Sequence, residues 1–449
     1  MPDETTRTQS ARLQPARLQS EDAPDLVVKP EQLQGLDESP SRMIDIPGSR
    51  MFEIRDALSV YHRDNPSGEE FDASQGDGGA SLPGVSEALY DRANELQKKH
   101  GSSYDQPFGT APYRKSVVEQ YWGLDAATGW GTANVLACQG GRDALNKAYD
   151  AMSFLGHGRR GDFVVVSRVP WISYNWGPYG VGSNVMLAPG READAWALTP
   201  EGIAACAQFA ERQDGRKIAG LVVTSPDNPT GRTISEERQL DLARAAFRAG
   251  IPFVLFDWIY HRVTDGEPHD LNRFLLALEP AERDRCFFLD GLTKSLGASN
   301  VRSAHLLASA KAVKFMQNRA SHGVIPSFHS LAVAMAAYEM GYEKASAGIV
   351  GPTNESRKVL DAFVAEKGLK AILGKGYYAF IDVGPFMDKA GMADSAAMGS
   401  YLAERFGVAV VPGVYFSDYG SRWIRFSYAL PPDKADRAAA RLWDGLKAL

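Results

Sequence analysis

The sequence predicts an α/β protein: a three-layer α/β/α large domain on a mostly parallel seven-stranded sheet, joined to a smaller α+β domain. Three observations carry that expectation. Seven short apolar runs bounded by turn residues recur through the middle of the chain. Segments of helical period separate most of them. After about Ser327 the pattern changes to long helical stretches followed by fewer, more widely spaced apolar runs. Strands alternating with helices at this spacing imply parallel pairing, with helices on both faces of the sheet.

Taken in order, residues 1–45 are rich in Gln, Ser, Pro, Asp and Glu and poor in aromatics. They read as a mobile N-terminal arm, or as an arm docked on a partner subunit. The expected strands of the large domain are 134–138, 163–166, 185–187, 221–224, 253–256, 287–289 and 305–308, with helical segments at 143–154, 235–248 and 271–278. The large domain is assigned to residues 76–326. The small domain takes 46–75 and 327–449: helical patterns at 331–342 and 355–367, apolar stretches at 377–383 and 408–411, a strand at 423–429 and a closing helix at 432–449.

The chain has 449 residues, about three times the 150-residue scale of one domain, and a 44% hydrophobic share that can fill a sizeable core. A formal charge of -6 argues against nucleic acid as a partner, since such proteins carry a basic face. Cys138, Cys206 and Cys286 lie far apart, which excludes a disulfide framework or a cysteine zinc site and fits a reducing compartment. No apolar run has signal-peptide or membrane-span character, so a cytoplasmic location without membrane contact is expected.

Parallel sheets bind ligands beyond the carboxyl ends of their strands, and the unusual residues cluster there. Lys294, in Asp290-Gly-Leu-Thr-Lys-Ser-Leu-Gly297, follows the run 287–289, and Arg302 lies eight residues on. Asp257 ends the run 253–256, with Tyr260 three residues later. Asn228 opens Asn228-Pro229-Thr230-Gly231 after the run 221–224. Each alone reads as a surface lysine, a turn or a helix cap. Together, in this order and with intervals of 29 residues from Asn228 to Asp257 and 37 from Asp257 to Lys294, they resemble the class I/II aminotransferases, pyridoxal-phosphate enzymes of the aspartate aminotransferase fold. The resemblance covers roughly residues 70 to 449.

The resemblance implies pyridoxal 5'-phosphate as cofactor, held by Lys294 as a Schiff base. That bond needs a neutral amine, which burial and neighbouring cations favour. Asp257 would hold the proton on the pyridine nitrogen that makes the ring an electron sink. Asn228 and Tyr260 would donate to the ring oxygen. Gly140, Gly141 and Arg142, after the run 134–138 and at the start of a helical pattern, would bind the phosphate through backbone N–H groups. Arg302 would add a forked charge, and Thr293 a hydroxyl. Trp171, in Pro170-Trp171-Ile172, would stack on the cofactor. Arg425 would anchor the substrate α-carboxylate, with Arg422 the lesser candidate, and Gly76 would lie over the substrate. Tyr104 matches the tyrosine that reaches the phosphate of a neighbouring subunit, which implies a homodimer with shared sites.

Two departures bear on the phosphate. Many relatives have a serine three residues before the lysine, where this chain has Gly291, and glycine two residues after the arginine, where it has Ala304. The implied activity moves an amino group from an amino acid to a 2-keto acid; the alternative is a lyase, cyclase or amino-acid oxidase on the same scaffold. A transcription regulator would need a basic winged-helix domain that the polar first 45 residues do not supply. Tyr174, Trp176 and Tyr179 read as a hydrophobic substrate pocket or as packing, and Arg319 as a candidate for a side-chain carboxylate. His261, His269, His322 and His329 have no metal-ligand spacing, and no metal is expected.

Overall fold

The computed structural model describes residues 20–35 and 44–449. All seven expected runs are strands: β3 (Val135–Cys138), β4 (Phe163–Val166), β5 (Asn184–Leu187), β6 (Ile218–Thr224), β7 (Val254–Asp257), β8 (Cys286–Gly291) and β9 (Ala304–Leu307). Two short strands precede them, β1 (Asp25–Leu26) and β2 (Phe71–Asp72), and five follow: β10 (Ala371–Leu373), β11 (Tyr378–Asp382), β12 (Val408–Ala409), β13 (Val411–Pro412) and β14 (Trp423–Ser427).

The large sheet has the order β1-β5-β4-β6-β7-β8-β9-β3. The five strands β5, β4, β6, β7 and β8 are parallel to one another. Both faces are covered, so β4 and β7 are buried at every position, and the sequence shows continuous apolar runs rather than alternation. The pleat still sorts side chains by parity. Phe163, Val165, Leu221, Val223, Val254, Phe256 and Phe288 enter one apolar cluster, and Val164, Val166, Val222, Leu255, Phe287 and Leu289 enter the other. Strand β9 is antiparallel to β8, and β3 is antiparallel to β9, so β3 points the same way as β8. The exits of β3, β4, β6, β7 and β8 and the entry to β9 therefore share one edge.

The eighth strand comes from the segment read as a mobile arm. Residues 20–35 instead lie against the large domain, with Asp25 and Leu26 paired antiparallel to Leu187 and Met186. The Gln34 N–H donates to Asn184 Oδ1 at 2.9 Å, its side chain donates to the Ser183 carbonyl at 2.9 Å, and Arg216 Nη1 donates to the Gln34 carbonyl at 2.6 Å. A polar segment thus covers an edge that would otherwise present unpaired backbone groups. The rest of the expected arm, residues 1–19 and 36–43, lies outside the described residues.

A second, antiparallel sheet has the order β10-β11-β14-β13. The run 408–411, expected as one stretch, divides between two sheets. Val408 and Ala409 pair in parallel with Phe71 and Asp72, and Val411 pairs with Arg425 of β14. The helix Phe328–Met340 is apolar around its whole circumference, and its Leu331, Val333 and Met335 share the cluster that contains Val135 and Val223. The next helix, Tyr342–Lys367, is 26 residues long and contains Pro352. It crosses three clusters in turn, with Tyr342 in the first, Ile349 in the second and Leu360 beside β11 and β14 in the third.

Gln34→Ala should cost about 1–2 kcal/mol, because the Ser183 carbonyl loses a buried donor. Urea unfolding measures the loss, and limited proteolysis should show faster cleavage within 20–35.

Candidate active site

The shared edge of the large sheet brings the expected residues together. Lys294 lies in the turn after β8, partly exposed in a cleft. Its Nζ donates to the Gly76 carbonyl and sits 5.5 Å from the Tyr260 ring centre and 6.0 Å from that of Tyr377. The Tyr377 hydroxyl donates to the Lys294 carbonyl and so fixes the turn from the small domain. The cleft walls strip water from the amine, and this lowers its pKa. The cations Arg425 and Arg142 push the same way, while Tyr378 and Asp77 oppose them.

Asp257 ends β7 in full burial. Its carboxyl accepts from the Tyr174 hydroxyl at 2.6 Å and from the Ile259 N–H at 3.1 Å, and Tyr174 in turn accepts from Thr224 Oγ1 at 3.0 Å. Burial outweighs these donors and raises the carboxyl to about 6. Asn228 is buried after β6, and its Oδ1 accepts from Arg425 Nη1 at 2.8 Å. That bond orients the amide and leaves its NH₂ as the free donor. Arg425 also donates to the Ser74 carbonyl at 2.6 Å and lies 4.1 Å over the Tyr378 ring. Tyr260 and Tyr378 meet hydroxyl to hydroxyl at 3.0 Å.

Gly140 opens the 17-residue helix Gly140–Gly156 at φ 78°, under the Arg302 guanidinium; a Cβ there would lie 2.3 Å from Arg302 Nη2. Gly141 follows it in the first turn, with Leu289 alongside. Arg302 itself takes φ 59°, a left-handed backbone that a side chain adopts only where its surroundings hold it. Its Nη1 donates to the Ser299 carbonyl at 2.7 Å and its Nη2 to the Gln139 carbonyl at 3.3 Å. Arg142 lies 5.6 Å over the Trp171 ring, and Trp171 meets Tyr174 edge to face at 5.4 Å.

Other expectations resolve differently. Arg422 faces outward and pairs with Asp388 at 2.7 Å. Arg319 pairs with Asp150 at 2.9 Å and stacks on Phe154 and Phe315, away from the cleft. Tyr174, read as pocket lining or as packing, is buried and bonds Asp257. Tyr104 is 99% exposed and reaches no residue of the cleft in this chain. Gly291 has no room for the expected serine, because a Cβ would lie 2.6 Å from Ala304 Cα.

Sequence reasoning missed two groups. Tyr377 and Tyr378 were legible only as strand residues, although two adjacent hydroxyl-bearing rings at the start of a buried strand are an unusual pair. His261 and His269 read as bland, yet they belong to a buried network. The His269 N–H donates to His261 Nδ1 at 3.1 Å, and His261 Nε2 lies 2.7 Å from Asp290. This assigns the proton of a neutral ring to Nε2. Burial keeps His261 uncharged. It would also raise Asp290, but His261 and Tyr121 donate to that group and hold it as a carboxylate.

The residues present fit pyridoxal phosphate. Thr293 Oγ1, Ser303 Oγ and Arg425 Nε are enclosed without a hydrogen-bond partner among the described residues, as expected of groups that serve a bound anion or acid. A helix start with positive-φ glycine suits a phosphate, the depressed lysine suits an aldehyde, and the enclosed carboxyl suits a pyridinium.

Asp257 supplies a pH test in the ligand-free protein. Its folded value of about 6 lies above the ordinary 3.8. Its stabilising contribution is therefore complete below pH 3.8 and is lost as pH rises through 6. Asp257→Asn never charges, so between pH 4 and 7 its stability should gain on that of the parent by about 2 kcal/mol. Urea unfolding across that range measures the change, and a pH-independent difference contradicts it.

Comparison with known proteins agrees with this geometry. The sequence pattern described as aminotransferase class I and II matches residues 72–442. The chain is 25% identical over 354 residues to an aspartate aminotransferase of Streptomyces avermitilis, covering 75% of this chain and 80% of that one. It is 30% identical over 224 residues to a probable N-acetyl-LL-diaminopimelate aminotransferase of Bacillus subtilis, covering 49% and 54%. An aminotransferase structure from Mycobacterium tuberculosis shares the fold with a TM-score of 0.76 at 19% identity, over 92% of this chain and all of that one. A Thermus thermophilus aspartate aminotransferase double mutant gives 0.75 at 20% identity, over 91% of this chain and all of that one. The chain belongs to the class I and II aminotransferases, pyridoxal-phosphate-dependent enzymes that move an amino group from an amino acid to a 2-keto acid.

Proposed function

We propose that Lys294 carries the reaction. The observation behind this is one amine, depressed in pKa, in the same cleft as Asp257, Tyr260 and Arg425. When bound, pyridoxal phosphate supplies an electron sink for the bonding pair at the substrate α-carbon. Lys294 Nζ, its pKa lowered by desolvation in the cleft, takes the α-proton and later returns it. Asp257 holds the proton of the pyridine nitrogen, and the positive charge there would draw its carboxyl back below the ligand-free value. The Asn228 NH₂ and the Tyr260 hydroxyl bind the ring oxygen, and Trp171 covers one ring face.

Gly140, Gly141, Arg142, Thr293 and Arg302 would hold the phosphate, and the Arg302 guanidinium already lies over the Gly140 loop. Arg425 binds the substrate α-carboxylate. Its Nε lacks a partner, and its Nη groups stand on Asn228 and Ser74, so the fork is oriented before substrate arrives. Gly76, which already accepts from Lys294, lies over the substrate. Trp171 and Phe416 flank the arginines and favour an apolar amino-acid side chain.

The exposure of Tyr104 supports a homodimer in which this ring completes the neighbour's phosphate site. We assign the enzyme to the cytoplasm; no described helix is long and apolar enough to cross a membrane. The large domain is 76–326 and the small domain 46–75 with 327–449, the helix Phe328–Met340 packing back onto the large sheet.

Lys294→Ala should retain the cofactor without a covalent link and lose at least about 100-fold in turnover. A single-turnover screen reads this directly: each amino acid is added to holoenzyme and pyridoxamine phosphate is measured. Full activity in the variant would refute the assignment. Arg425→Ala should raise KM for amino acids by at least about tenfold, since the carboxylate loses a forked donor.

A further inference from the structure

Tyr378 begins β11 on the small sheet, and its side chain reaches across to the lysine loop. Its hydroxyl and Lys294 Nζ flank Gly76. Among the described residues that hydroxyl makes one hydrogen bond, to the Tyr260 hydroxyl at 3.0 Å. The surrounding groups are the Lys294 amine, the Arg425 guanidinium stacked at 4.1 Å, and Tyr377, the residue just before the strand, with Asp77 and Arg142 farther around the lysine. Arg425 has only protons to give.

A hydroxyl pair contains two protons but only one shared bond, so one oxygen must donate and the other accept. If Tyr260 donated to Tyr378, its proton would be used up and it could only accept from the cofactor. The opposite polarity leaves the Tyr260 proton free for the ring oxygen. The same one-proton arrangement stands at the other end of the cleft, where Thr224 donates to Tyr174 and Tyr174 donates to Asp257.

We propose that Tyr378 is a positioning residue for the transamination: its hydroxyl donates to Tyr260 and so directs the Tyr260 proton at the cofactor's ring oxygen. The proposal rests on the roles given to Lys294 and Tyr260 above. A donor that is itself hydrogen-bonded through its oxygen is strengthened. A firmly bound ring oxygen competes less for the proton shared with the lysine nitrogen, which lowers the pH at which that nitrogen loses it.

Tyr378→Phe keeps the ring under Arg425 and removes only the hydroxyl. In a visible-absorption pH titration of holoenzyme, the midpoint of the lysine–cofactor chromophore should rise by about one pH unit, the scale of one lost hydrogen bond. In a Tyr260→Phe background the same change should add no further shift, because the residue acts through Tyr260. A midpoint that stays or falls in Tyr378→Phe overturns the proposal, as does a shift that persists without the Tyr260 hydroxyl. Borohydride reduction followed by peptide mass analysis separates the two levels of the argument. A cofactor adduct on Lys294 with an unmoved midpoint removes the role of Tyr378 alone, whereas no adduct on Lys294 removes the reading beneath it as well.

Discussion

A parallel sheet releases all its strands along one edge, and this site is a consequence of that constraint. Asp257, Asn228, Lys294 and the Gly140 loop come from strands β7, β6, β8 and β3, which all point the same way; the first three lie side by side and β3 lies beyond β9. Each needs only a few residues of turn to reach a common cleft. The two antiparallel pairings matter as much. Because β9 runs against β8, Arg302 arrives at the edge where β9 begins rather than where it ends, and β3 is turned back into alignment beyond it. The apolar faces that hold this sheet together are therefore also what set the geometry of the candidate site.

Within the cleft, the electrostatic arrangement is one of incomplete compensation. A lysine is crowded by two arginines, and a carboxyl is buried without a cation bonded to it. Both groups are pushed toward their neutral forms, which costs the empty protein stability and suits it to a ligand that carries the missing charges. The second buried carboxyl shows the contrast. Asp290, one strand along, is surrounded by donors from His261 and Tyr121 and stays charged. It is satisfied by the protein alone and faces the interior, where it fastens β8 to the helical layer.

The strands of the large sheet were legible because burial on both faces writes them as unbroken apolar runs, and the candidate site was legible because Asn228, Asp257 and Lys294 each stand at the end of such a run and Arg302 just before one. What escaped had no periodic trace. Strand β1 has two residues, too few to show alternation, and Gln34 is held by polar bonds that composition cannot reveal. The run 408–411 looks continuous, but its two halves serve different sheets. The resemblance makes Arg425 the carboxylate anchor and Arg422 the lesser candidate; Arg422 joins Asp388 at the surface, and Arg425 is held against Asn228 by the register of β14 with β11. Tyr378 and His261 carry their meaning only through partners 118 and 29 residues away.

The helix Tyr342–Lys367 has a mechanical consequence. It is a single rod embedded at one end among the residues that back the lysine turn and at the other among those that carry Arg425. The two halves of the cleft are thus joined by a stiff beam as well as by pliable loops. Pro352, lying between Ile349 and Leu360, withdraws one N–H from the beam at that point. The rod thereby ties the strand that carries Arg425 to the packing behind the lysine turn.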